Sequence, residues 1–217
     1  FVKIAFDHSN DGVVSAAIQT ASNLSHPTLT EKLVDFLNDK RYWREAARGL
    51  AQLEEIAIPL LRKHITNKKS ITLDRRIIVV GSQMQSEAAH ELLVELLQRP
   101  DVSVRTAALQ ALKNYPNSKR NVAVFKRLLQ DEFQLAQRLL HGQTEAIEQD
   151  LKNSLSYEQE VVVQRIFGLL MQQYDQDIIF STQTSVLHSS RERRANSLEL
   201  LENLVPRQVY GGLYALL

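Results

Sequence analysis

Pro100-Asp101-Val102-Ser103-Val104-Arg105-Thr106-Ala107-Ala108-Leu109-Gln110-Ala111-Leu112 is the stretch on which the fold turns. Pro100 makes a turn and Asp101 an N-cap, and the residues after them repeat at helical spacing. Ala107, Ala108 and Ala111 are small enough to let another helix approach closely. Related windows open at Ser15 (Ser15, Ala17, Ile18, Ala21), Arg44 (Arg44, Ala46, Ala47, Leu50) and Arg75 (Arg75, Ile77, Ile78, Gly81). From Ser15 through Arg44 and Arg75 to Arg105 the steps are 29, 31 and 30 residues, and the same beat then reaches Leu135, Gln164 and Arg193. Such a period, with two helices per unit, predicts stacked helix pairs in which no unit buries its apolar face alone.

The periodicity places helices at 13–24, 27–37, 42–53, 56–65, 73–83, 88–97 and 104–115. Pro27 suits a first helical turn, whereas Pro59 either opens its helix or kinks it. Ile77, Ile78, Val79 and Val80 favour a strand by propensity, but the repeat spacing predicts a helix there. After a loop at 116–120, helices are expected at 122–129 and at 132–141, the second closing on Gly142. Two more follow at 145–155 and 157–174, divided by the capping-box spacing of Ser156-Tyr157-Glu158-Gln159. The last pair, 178–187 and 193–204, ends at Pro206. No Gly-rich or Ser-rich linker interrupts the series, so residues 1–217 are read as one domain.

A chain of 217 residues, 44% hydrophobic and 24% charged, can bury a continuous core. Its most apolar stretch, 161–171, is broken by Gln164 and Arg165, short of the roughly 18 apolar residues of a membrane span. Cysteine is absent, which excludes disulfides and thiolate chemistry and fits a reducing, cytoplasmic setting. The chain begins at Phe1 and ends on the apolar run 209–217, without the polar end units that keep a repeat array soluble, so a piece of a longer protein is expected. Residues 1–127 hold 19 Lys and Arg against 13 Asp and Glu, and 128–217 hold 7 against 12. Charge therefore runs from basic to acidic along the sequence, a field able to orient a charged partner.

The Asp101–Leu112 run, Asp-x-x-Val-Arg-x-x-Ala-x-x-Ala-Leu, resembles the opening of the second helix in HEAT-like repeats. The resemblance implies an all-α, HEAT-like α-α superhelix, a solenoid of about six to seven helix pairs. A narrower likeness lies in Arg193-Arg194-Ala195-Asn196-Ser197-Leu198-Glu199-Leu200-Leu201-Glu202-Asn203-Leu204-Val205-Pro206. It is similar to the last repeat of HEAT-like arrays fused behind bacterial nucleotide-transporter or major-facilitator membrane domains. That implies a cytoplasmic module tethered to the inner membrane by a region outside this chain.

Catalytic motifs are missing. The six histidines show no i, i+3 or i, i+4 pair, and one His-Glu dipeptide, His90-Glu91, stands where HEAT-like di-iron hydroxylases need several. No nucleophile elbow, phosphate loop or dinucleotide fingerprint occurs, so no cofactor and no metal are expected. The enzyme alternative is a resemblance to HEAT-like alkylpurine DNA glycosylases, whose tryptophan and basic residues Trp43, Lys40, Arg41, Arg44 and Arg48 could imitate. A net charge of +1 disfavours nucleic acid. The expectation is a non-catalytic protein-interaction or regulatory scaffold that holds a protein partner or a neighbouring domain of its own chain. Candidate contacts on the second-helix surface are Arg44, Arg48, Arg75, Arg76, Arg105 and Lys113. Arg44, Arg75 and Arg105 also fit a structural ladder bonding loop carbonyls or an aspartate such as Asp101, which makes Arg48, Arg76 and Lys113 the freer candidates.

Overall fold

A computed structural model describes residues 2–67, 70–116, 119–188 and 191–217. Asn117 and Ser118 of the expected loop, and the side chain of His188, lie outside the described residues. Every regular element among the described residues is helical. The chain divides into two compact units, Phe1–Tyr115 and Pro116–Leu217.

The first unit holds α1 (Val2–Ala5), α2 (Asp11–Leu24), α3 (Pro27–Phe36), α4 (Trp43–Gln52), α5 (Glu54–Asn67), α6 (Ile71–Gly81), α7 (Glu87–Leu97) and α8 (Val102–Leu112). Helix α2 packs on α4, α4 on α6 and α6 on α8, while α3 packs on α5 and α5 on α7. The result is two rows, in which every second helix meets the second helix of the next pair. The windows that open at Ser15, Arg44, Arg75 and Arg105 all fall in the α2–α4–α6–α8 row.

Small residues make that row possible. Ala17, Ala21, Ala46, Ala47, Ala108 and Ala111 are buried, and a Cβ added to Gly49 would lie 1.9 Å from Ser22 Oγ and 3.0 Å from Ser22 Cβ on α2. Helix α6 forms despite its branched residues because Ile77, Ile78 and Val80 are buried while Ser70 Oγ accepts the Leu73 amide at 3.3 Å. Burial outweighs a strand preference worth about 1 kcal/mol per residue at most. Asp101 is an N-cap as expected, accepting the Val104 amide at 3.0 Å. Pro59 sits inside α5 at an exposed position, where the Glu55 carbonyl it leaves without a helical partner can be hydrated.

Polar bonds between successive repeats fix the register. Glu54 Oε1 accepts the backbone amides of Gln85 and Ser86 at 3.2 and 2.7 Å. Arg76 Nη1 donates to the Leu37 carbonyl at 2.5 Å, and Arg99 Nη2 donates to the Ile65 carbonyl. The Tyr115 hydroxyl lies 2.6 Å from the Gly81 carbonyl and 2.8 Å from that of Met84; burial pushes its pKa up to about 12. Arg41 and the Tyr42 hydroxyl both reach Asp11. All these partners stand 30 to 39 residues apart, about one repeat along the chain.

The second unit holds α9 (Val122–Glu145), α10 (Gln149–Met171), α11 (Gln176–His188), α12 (Arg191–Leu204) and α13 (Arg207–Tyr214). Here the sequence-based boundaries require correction. The helices expected at 122–129 and 132–141 are the single 24-residue α9, and those expected at 145–155 and 157–174 are the single 23-residue α10. Gly142 is an interior residue of α9, because one glycine costs only about 1 kcal/mol and does not end a long helix. Ser156 is no cap: its Oγ donates to the Lys152 carbonyl at 2.9 Å inside α10. The two helices run antiparallel, as the Arg165–Glu132 and Gln143–Gln159 contacts require. Arg165 and Glu132 are both buried and meet at 2.9 Å, so each charge is compensated by the other.

Ala108 is fully buried against the neighbouring helices and Ala107 is half-buried. Ala108→Leu is expected to lower unfolding stability by about 1–3 kcal/mol through overpacking, and Ala107→Leu by much less. Equal losses in chemical denaturation of the two variants would show that the buried face of α8 is wrongly assigned.

Candidate interaction surface

The solvent side of the second-helix row carries three of the six candidate residues. Arg44 and Arg48 stand one helical turn apart on α4, both exposed, and Arg75 is exposed on α6. Arg76, one residue further round α6, turns back into the protein, half-buried and bonded to the 37–39 loop. Its guanidinium carbon lies 5.1 Å from the centre of the Trp43 ring, and that of Arg44 lies 5.2 Å from it. Two cations thus lie within cation–π reach of one indole, each contact worth roughly 0.5–1 kcal/mol where exposed.

Trp43 borders a groove of about 620 Å³ between α6 and α8, together with Thr72, Arg75, Val79, Ser82, Ala107, Gln110 and Asn114. Val79 and the Ala107 methyl give it an apolar floor, and the two carboxamides give it hydrogen-bonding edges. A second groove of about 540 Å³ lies between α2 and α4, lined by Ser15, Ala16, Gln19, Glu45 and Arg48.

Charge is segregated between the two rows of the first unit. Helices α2, α4, α6 and α8 carry Arg44, Arg48, Arg75, Arg76 and Arg105 against Asp11, Glu45 and Asp74. Helices α3, α5 and α7 carry Lys32, Arg62 and Lys63 against Glu31, Asp35, Glu54, Glu55, Glu87, Glu91 and Glu95. Two of the three acids in the basic row are already engaged, Asp11 by Arg41 and Asp74 by Arg99 at 3.0 Å. Burial still holds the Asp74 carboxyl above its ordinary pKa, with Arg99 pulling it back down. Arg48 and Arg75 make no hydrogen bond or ion pair among the described residues.

The six candidate residues therefore divide along a different line from that expected. Arg44, Arg48 and Arg75 face solvent, whereas Arg76 is the residue that bonds loop carbonyls of the preceding repeat. Arg105 is half-buried beside Asp101 of its own repeat; the Asp101 carboxyl is held below its usual pKa first by the Ser103 hydroxyl, then by the Val104 amide, with Arg105 contributing. Lys113, the C-cap of α8, is half-buried. Sequence reasoning missed Arg99, Tyr115 and Glu54. Each sits at a helix end facing a neighbouring helix pair, Glu54 the following one and Arg99 and Tyr115 the preceding one, a position that apolar periodicity does not register.

His90 is buried, its ring centre 5.7 Å from that of Tyr115, and desolvation lowers its pKa, which favours the neutral imidazole. Among the described residues no group of three His, Asp or Glu side chains could hold a metal ion. Around Trp43, Arg41 is bound to Asp11, and the Asp39 carboxylate accepts the Arg41 and Tyr42 amides at 2.6 and 3.3 Å, which commits it to the turn.

No family model matches the chain, and no curated protein does. Two crystal structures described as engineered proteins are similar to it with TM-scores of 0.36 and 0.37, at 16% and 15% identity, over 97% and 99% of this chain and 96% and 97% of theirs. At that level the likeness carries neither fold nor function. Among the described residues no helix is long and apolar enough to cross a membrane.

Arg76 and Arg75 offer an internal contrast. Arg76→Ala removes a charge-assisted bond to a carbonyl and one flank of Trp43, and is expected to cost about 1–3 kcal/mol and to shift Trp43 emission. Arg75→Ala, at an exposed position, should stay within about 0.5 kcal/mol of the parent. Denaturation curves with the two losses equal would contradict these assignments.

Proposed function

We propose that the chain is a HEAT-like α-α superhelix serving as a non-catalytic interaction or regulatory scaffold, with the second-helix face as its working surface. The observation that carries this reading is the run of solvent-facing guanidinium groups Arg44, Arg48 and Arg75 beside the half-buried Trp43. Charged groups left without partners on one side of a repeat array add nothing to the fold's own stability, and they raise the capture rate of an oppositely charged partner. The two-row packing of α2 to α8 at steps of about 30 residues supports the repeat assignment. The partner is a protein or a neighbouring domain of the same chain. The likeness of residues 193–206 to transporter-fused arrays further suggests a cytoplasmic module of a bacterial membrane protein.

A second reading, an alkylpurine DNA glycosylase, is favoured by one observation, the indole of Trp43 with two guanidinium groups near its ring at the edge of a groove. The three exposed arginines Arg44, Arg48 and Arg75 neutralise few phosphates. The expected result is no release of an alkylated base from duplex DNA, and non-specific binding no tighter than about 10⁻⁴ to 10⁻⁶ M at physiological salt. Base excision abolished by Trp43→Ala, or sub-micromolar binding that survives about 0.2 M salt, would replace the scaffold reading with the enzyme.

A further inference from the structure

We infer that the groove beside Trp43 takes an acidic linear peptide segment of a partner protein, whose carboxylates meet Arg75 and Arg44 and whose apolar side chain lies on the indole and Val79. This rests on the scaffold reading and names the chemistry of its partner.

Four features point the same way. The groove is about 620 Å³ in volume, a size suited to a few residues of extended chain. Its edges carry Gln110 and Asn114, whose carboxamides supply both donors and acceptors to a peptide backbone that has no strand partner. Arg75 lines the groove, is exposed and has no hydrogen bond or ion pair among the described residues, and the exposed Arg44 lies over the ring of Trp43. A guanidinium binds carboxylate through two parallel hydrogen bonds, so each arginine can take one acid. The apolar platform is set in advance, because Arg76 is anchored on the Leu37 and Asp39 carbonyls and packs on the Trp43 ring from one side. A platform that is already ordered costs little entropy on binding.

The number of cations decides between peptide and nucleic acid. Tight binding of a phosphodiester backbone comes from many neutralised phosphates, on the order of six to ten. Arg75 in the groove, Arg44 beside Trp43 and Arg48 in the adjoining groove match the two or three carboxylates of a short acidic motif one for one. The same three would leave most of a nucleic-acid footprint unpaired.

Trp43 is the only tryptophan of the chain, so its emission reports on this groove alone. The probes are an acetylated peptide of about a dozen residues, rich in Asp and Glu with two leucines, the same peptide with each acid replaced by Lys, and a single-stranded oligonucleotide of similar charge. The acidic peptide should change the emission saturably, with the Kd weakened at least about tenfold by Arg75→Glu and further by added salt. The variant's unchanged thermal melt would show that the protein is still folded. The lysine peptide should leave the emission as it was. Equal binding of the lysine peptide, tighter binding of the oligonucleotide, or an Arg75→Glu variant that binds like the parent would overturn the inference. No response to any probe by a folded protein would overturn it too, while leaving the scaffold reading intact, since that reading falls only to tight duplex-DNA binding or base excision.

Discussion

The close approach of the second helices is the contact on which the first unit depends. Helices α2, α4 and α8 bury small residues at Ala17, Ala47, Gly49 and Ala108, and Gly49 lies so close to Ser22 of α2 that an added Cβ would clash. Once the row is packed, the branched residues of α6 are buried between neighbours and their strand preference is outweighed. Proximity also brings the end of one repeat within reach of the next, so that Glu54, Arg76, Arg99 and Tyr115 can bond backbone groups about one period away. Those bonds satisfy carbonyl and amide groups at helix ends, which would otherwise need water. Packing thus sets the spacing, and the polar bonds hold the register.

Where small residues recur at that spacing, the sequence is readable. The windows at Ser15, Arg44, Arg75 and Arg105 place four helices, and Asp101 marks its own cap. Legibility falls away beyond Tyr115, for a physical reason. Gly142 and the Ser156-to-Gln159 spacing carry local signals worth about 1 kcal/mol each, against the burial of an apolar face along two helices of 24 and 23 residues. The larger quantity decides, and both signals sit inside continuous helix.

The candidate surface was legible in kind but not in detail. Arginines at the head of the second helices were visible, yet Arg75 and Arg76 differ by one residue, a turn of about 100° round the helix. That rotation sends one guanidinium to solvent and the other onto the Leu37 carbonyl. Charge totals along the chain suggested a lengthwise gradient, whereas within the first unit the separation runs across it, with the acidic helices α3, α5 and α7 in one row and the basic ones in the other. The acidic row is itself laced with ion pairs such as Arg62–Glu95 at 2.7 Å and Lys63–Glu31 at 3.6 Å. Exposed pairs of this kind add at most about 1 kcal/mol each, and they leave the unpaired cations concentrated on the opposite row.

That the helix pairs joined by Tyr115 act as one cooperative stack is tested most directly by amide hydrogen exchange on Tyr115→Phe. The substitution removes one hydroxyl, which is buried between the Gly81 and Met84 carbonyls, and leaves the ring. Exchange should quicken together across α6, α7 and α8, by a common factor reflecting roughly 1–3 kcal/mol of lost stability, with α9 and α10 unchanged. Faster exchange confined to residues 81–84, with α8 as protected as before, would contradict it, because the cross-repeat bonds would then decorate a stack they do not hold.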